Sequence, residues 1–304
     1  VVRAGPEQRL WSANARMASD EFLDLLGQAH FALGARQQQI RDVLLASEQF
    51  DEEDFLALKL DDRALFLQRW RDLLLEVLEN VEAEGLVEMR QYVDNWAGRA
   101  SADDVGYRLV KRFREQVVDS TVGMVYRHLQ REAGAIFRPY WINNMAEYPV
   151  WALVSEQPER HIPEPYPSWN DFLFDMAAAT LDQVTADGVP LVEQTWGKDN
   201  TINIAHPMAD GVPLLGRFLR MPQEPMSGDV FLPLAQGRTW GASQRMAVSP
   251  GHEQDGIFHM ATGQSGHPLS PFFDSGHRDW VEGRPSPLLP GDVSHQLHLL
   301  PAGD

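Results

Sequence analysis

The hydrophobic rhythm of the chain changes at Asp187-Gly188. Before that point apolar residues recur every three or four positions, the repeat of helices with one buried face. After it Gly and Pro are frequent and the apolar runs are short. Thr239–Val248 and Gly256–Ala261 read there as strands in a sheet with ordered loops. A helical block followed by a strand-rich third, with no βαβ alternation, predicts an α+β fold.

Along the first part, Gln8–Asn14 carries a short alternation ending at a polar turn and predicts an edge strand. Asp20 to about Leu45 reads as helical, with a break at Gly34. Phe50-Asp51-Glu52-Glu53-Asp54-Phe55 is a helix start: Asp51 can cap, acids fill the positive first turn, and Phe50 can staple onto Phe55. Phe55, Leu58, Leu65, Phe66, Trp70, Leu73, Leu74, Val77 and Leu78 then fall on one helical stripe. Asp61-Asp62 within it reads either as a carboxylate pair for acid/base or metal work or as surface charge paired with Arg63. Tyr92–Gly98 closes a further helix, and Ser101-x-x-Asp104 opens the next, which runs through Leu109, Phe113, Val117 and Val122. Pro163, Pro165 and Pro167 form a stiff connector before a helix from Trp169 to about Val184.

Charge narrows the partners. The 304 residues carry a formal net charge of −18. Such an excess argues against nucleic acid and against an anionic membrane surface. No apolar run approaches the roughly 18 residues of a membrane span. The chain has no cysteine, which rules out disulfides, thiolate metal sites and a cysteine nucleophile, and fits either periplasm or cytoplasm. Val1–Gly5 has neither the charged nor the apolar region of a signal peptide. Since the first residue is not Met, a processed product or a fragment is expected.

Several candidate chemistries fail on spacing. His295-x-x-His298 has the helical spacing of a metal pair, but its surroundings read as an extended tail, where such a pair points to opposite faces. His252, His259, His267 and His277 have no acidic partner at diagnostic spacing, so zinc is not expected. Ser265 lies between Gly263 and Gly266, at −2 and +1, whereas a nucleophile elbow needs glycines two residues either side. The surrounding stretch, Thr262-Gly-Gln-Ser-Gly-His-Pro-Leu-Ser-Pro271, is read as an ordered loop whose glycines allow a positive φ or a close backbone approach. Asn14 remains open. It could cap a turn, or its amide could donate to a developing oxyanion, an interaction able to contribute roughly 3 kcal/mol.

Several motifs, in order, resemble the penicillin acylase family of N-terminal nucleophile hydrolases. They include Trp11-Ser-Ala-Asn14, Leu33-Gly-Ala-Arg36 with the helix containing Ile40, Phe50-x-x-x-Asp54 with Leu60-Asp61, and Asn95-Trp-x-Gly98. Further on come Trp196-Gly197, His206-Pro207, Gly228-Asp229 and Ser243-x-Arg245. The most specific is Gly-Gln-Ser-Gly-His-Pro-x-Ser-Pro ending at Pro271, with Asp274 and Trp280-x-x-Gly283.

The resemblance implies the C-terminal part of a four-layer αββα sandwich with a large helical insertion. Residues 1–39 would give a strand and helix of the core, residues 40–188 the insertion, and residues 189–304 the rest of the core. It implies an amidohydrolase matured by self-cleavage, whose N-terminal Ser attacks an N-acyl amide and forms an acyl-enzyme. That Ser, the backbone oxyanion donor and most of the acyl pocket would lie upstream of Val1, so the chain alone should be inactive. Asn14 would donate to the oxyanion, and Arg36 would order the site or contact a substrate carboxylate. Implied partners are the preceding part of the β-chain, an α-chain and a small N-acyl substrate, outside the cytoplasm. β-Lactams, N-acyl homoserine lactones and acylated peptides are all substrates among such relatives. No cofactor is expected. The family's calcium ligands lie mainly upstream, and its intervening aspartate falls near Asp24 and Leu25, so calcium is not assigned. The alternative is a non-catalytic relative that serves as a scaffold or partner-binding domain.

Overall fold

The computed structural model describes residues 9–16, 20–26, 31–133, 146–211 and 216–301. Among them helices dominate and strands are few, which gives a mixed α+β chain. Contacts group the chain into two compact units, residues 1–48 with 58–241, and residues 49–57 with 242–304.

The larger unit is organised around one long helix. Among the described residues its helices are α1 (Asp20–Leu26), α2 (Ala35–Ala46), α4 (Gln68–Val77), α5 (Glu84–Asp94), α6 (Val105–Ala133), α7 (Glu147–Glu156), α8 (Trp169–Val184) and the single turn α9 (Trp196–Asp199). The intervening α3 (Glu52–Lys59) carries the segment of the smaller unit. Helix α6 packs against α4, α5 and α8. Its Tyr107, Leu109, Val110, Phe113 and Val117 are fully buried, against Trp70 and Leu74, Met89 and Val93, and Phe172 and Ala177. Each such side chain contributes on the order of 1.5–3 kcal/mol of transfer free energy, so this stripe holds the unit together.

The start of α6 is also its polar anchor. Asp104 caps it, its Oδ1 accepting from Tyr107 N at 2.7 Å. Four residues after Tyr107, Lys111 Nζ donates to buried Asp229 at 2.6 Å, and the Tyr107 hydroxyl donates to the same carboxylate. Arg108 grips Asp199 through two bonds of 2.8 Å. These pairs tie Asp199 and Asp229 to the helix.

Three expectations are corrected here. The stripe from Phe55 to Leu78 is not one helix. Helix α3 ends at Lys59, a 3₁₀ turn spans Leu65–Leu67, and α4 starts at Gln68. The break is made by Asp61, whose Oδ1 accepts from Arg63 N at 3.1 Å, and by the antiparallel bridge between Arg63 and Arg99. The edge strand over Gln8–Asn14 reduces, within residues 9–16, to a single parallel bridge between Ala15 and Ala32. Of the strands expected from residue 190, the first among the described residues is β1 (Gln236–Gly237), paired with β2 (Trp240–Gly241). Ahead of them residues 200–206 pair with 219–226 only through isolated antiparallel bridges, Thr201 to Pro225 and Ala205 to Arg220, with Ile202 N donating to Glu224 O at 2.9 Å and Met221 N to Ile204 O at 2.9 Å. Side chains add to this, Asn200 Nδ2 donating to Met226 O and Trp196 Nε1 to Gly228 O.

The smaller unit is a β-ribbon backed by a short helix. β3 (Gln244–Ala247) pairs antiparallel with β4 (Ile257–Met260), placing Arg245 opposite His259. α10 (His277–Glu282) buries Trp280, whose Nε1 donates to Ala242 O at 2.7 Å. The Arg245 guanidinium lies over the Trp280 ring and donates to Trp280 O at 2.6 Å. The helix start at Phe50 forms as read: Asp54 N donates to Asp51 Oδ1 at 2.9 Å, and the Phe50 and Phe55 rings sit 5.5 Å apart. The glycine-bracketed loop uses the second of its two options. A Cβ on Gly263 would stand 2.0 Å from Phe272 O, so the glycine is there for close approach.

Candidate functional site

Residues 13–15 and 32–36 of the larger unit are held together by backbone and by one guanidinium. Ala32 N donates to Asn14 O at 2.9 Å, beside the Ala15–Ala32 bridge. Asn14 takes a left-handed conformation, φ 63°, which Asn tolerates better than most residues. The turn that follows Ala32 leads to Gly34 at the start of α2, so Arg36 falls in that helix's first turn. Its side chain points back: Arg36 Nη2 donates to Asn14 Oδ1 at 2.7 Å and to Ala13 O at 3.1 Å.

This contact fixes the orientation of the Asn14 amide. Guanidinium has no acceptor, so only Oδ1 can face Arg36. The Nδ2 group must then face away, and among the described residues it has no acceptor. Asn14 is exposed while its neighbours Ala13 and Ala15 are buried, so a rigid base presents an open amide donor. Burial pulls the Arg36 pKa below its ordinary value, and the guanidinium remains a cation under working conditions.

Beyond Arg36, α2 is tied into the unit through buried Gln39. Its Nε2 donates to Asp61 Oδ2 at 2.9 Å and to Arg63 O at 3.0 Å. Burial opposes ionisation of Asp61, but the bonds from Arg63 and Gln39 outweigh it and hold its carboxyl below the usual value. Asp61 is therefore a structural ion-pair partner of Arg63, and Asp62 pairs with Arg99. A cavity of about 370 Å³ adjoins the same helix start, lined by Leu33, Gly34, Ala35, Phe66 and Arg69 among others.

One polar cluster on this cavity escaped the sequence reading. Glu147 is almost wholly buried, accepts from Trp70 Nε1 at 2.9 Å and Arg114 Nη2 at 2.7 Å, and also pairs with Arg69. The only sequence cue was an unusual set of arginines on the helical stripes, at Arg69 and Arg114.

The histidines go where local packing puts them. His259 and His277 are buried, bonded to Arg284 O at 2.6 Å and Ala261 O at 2.7 Å respectively. His295 and His298 lie in an exposed stretch without regular structure. Asp24 is exposed on α1, and among the described residues no three of His, Asp and Glu converge into a metal-binding group. No calcium ligand set is assigned. Among the same residues no helix is long and apolar enough to cross a membrane.

The family model for penicillin amidase matches residues 3–292. Over 298 residues the chain is 24% identical to the penicillin acylase 2 proenzyme of Pseudomonas sp. (strain SE83). That match takes in 91% of this chain and 36% of the proenzyme, so the chain spans little more than a third of the relative's length.

Proposed function

This chain belongs to the penicillin amidase family, and on that footing we propose that it forms the later part of an amidohydrolase cleaving an N-acyl amide. The observation that carries the reading is the Asn14 amide, with Oδ1 held by Arg36 at 2.7 Å and Nδ2 left open. A donor fixed before reaction costs no reorganisation when charge develops on the substrate oxygen.

In this reading the nucleophile is an N-terminal Ser on a preceding segment of the same protein. Its Oγ attacks the amide carbon, the carbonyl π pair moves to oxygen, and the α-amino group takes the hydroxyl proton. Asn14 Nδ2 donates to that oxyanion. Collapse breaks the C–N bond, and the proton passes to the departing amine. Water then cleaves the acyl-enzyme by the same route and releases the carboxylic acid. Arg36 is a positioning residue, acting through the amide it holds. The four-layer sandwich, self-cleavage, a second chain and a location outside the cytoplasm belong to the same proposal.

The test is a quenched turnover of an N-acyl amide by the intact protein, read by mass spectrometry. A covalent adduct with the mass of the acyl group supports the reading. Hydrolysis with no adduct under burst conditions argues for direct attack by water.

A further inference from the structure

A second cavity, of about 940 Å³, lies along the C-terminal half of α6 in the larger unit. It shares no lining residue with the cavity beside Arg36. Thr121, Met124 and Arg131 follow one another along one helix face, and Arg127 stands four residues before Arg131 on a neighbouring stripe. Leu153 of α7 and Ile162 contribute apolar wall.

Three features point to an occupant. First, Arg127 and Arg131 have no carboxylate partner among the described residues, in a protein with a net charge of −18. Like charges at i and i+4 repel, and an anion between them removes that cost. Second, Thr121 is 3% exposed and its hydroxyl has no hydrogen-bond partner. An orphaned buried hydroxyl is costly and rotates to suit whatever donor or acceptor reaches it. Third, Gly123 sits in mid-helix, where Gly costs about 1 kcal/mol relative to Ala. Arg127 Nη1 lies 3.3 Å from where its Cβ would be, so the missing side chain lets the guanidinium fold down along α6.

We propose that this cavity binds a small amphipathic carboxylate. Arg127 and Arg131 take the carboxylate, Thr121 supplies a neutral hydrogen bond, and Met124, Leu153 and Ile162 take an aliphatic tail. Among the described residues the lining holds two guanidinium groups and one carboxylate, Glu164, which suits a monoanion over a dianion. His161 also lines the cavity and can add a donor. The volume lies within the range of small-molecule pockets, roughly 300–1,000 Å³. The inference does not rest on the amidohydrolase reading, because it uses neither Asn14 nor Arg36.

The test is titration calorimetry of the intact protein with octanoate, acetate and octylamine. Saturable octanoate binding is expected, with acetate and octylamine at least about tenfold weaker. Arg127→Ala with Arg131→Ala should weaken octanoate at least about tenfold, since both residues are exposed and removal leaves the fold intact. Thr121→Val should weaken it severalfold. The proposal is overturned if octanoate does not bind at about 10 mM, if octylamine binds as well, or if the double arginine variant binds like the parent. Equal binding of acetate overturns the apolar half of the site.

Discussion

Arg36 Nη2 lies 2.7 Å from Asn14 Oδ1 and 3.1 Å from Ala13 O, so one guanidinium fixes both an amide and the peptide unit before it. Arg36→Ala in the intact enzyme should lower kcat about 10- to 100-fold with little change in KM, because the amide then rotates freely. Arg36→Lys should recover part of the loss, since an ammonium reaches one acceptor but lacks the planar fork. A raised KM with unchanged kcat would instead assign Arg36 to a substrate carboxylate.

The buried Glu147 holds three donors, and removing it strands two arginines and an indole N–H. Glu147→Ala should cost at least about 3 kcal/mol in urea unfolding. The surface pair Arg41–Asp42 provides the contrast, with Asp42→Ala expected within about 0.5 kcal/mol of the parent. Equal effects would refute the assignment of Glu147 as a structural centre.

Gly263 and Gly266 bracket the same loop but differ in surroundings. A Cβ at Gly263 would stand 2.0 Å from Phe272 O and 2.7 Å from Phe273 O, whereas nothing lies within 4 Å at Gly266. Backbone oxygens cannot step aside as a side chain can. Gly263→Ala should therefore lower stability by about 2 kcal/mol or more, and Gly266→Ala should be nearly neutral. Differential scanning calorimetry of both variants decides it.

His259 gives a pH dependence. Its Nε2–H donates to Arg284 O, its Nδ1 has no partner, and burial pulls its pKa below the ordinary 6.5. The unfolded chain takes up a proton near 6.5 while the folded chain resists it, so stability falls as pH drops through that value. Between about pH 7.5 and about pH 5.5 the Tm should fall less in His259→Gln than in the parent. An identical fall in both would exclude His259 as a source of the acid sensitivity.

Much of the helical part was legible because its signals are local. The cap at Asp51, the Phe50–Phe55 staple and the limits of α8 follow from residues within one turn of each other. The break at Asp61 was not legible, since the apolar spacing runs through it and the bridge to Arg99 is 36 residues distant. Glu147 was invisible for the same reason, its partners Arg69, Trp70 and Arg114 being remote in sequence. For Asn14 the local sequence allowed a turn cap or an oxyanion donor and favoured the cap. The donor role comes from the resemblance, and the contact with Arg36 adds only that the Asn14 Oδ1 is held while its Nδ2 points away.

The account stands or falls on Asn14 Nδ2 as the oxyanion donor. The direct measurement is steady-state turnover of an N-acyl amide by the intact enzyme, parent against Asn14→Ala. Loss of one such donor should lower kcat about 10²- to 10³-fold, with KM and Tm close to the parent. Turnover near the parent's level in a folded Asn14→Ala protein would contradict it.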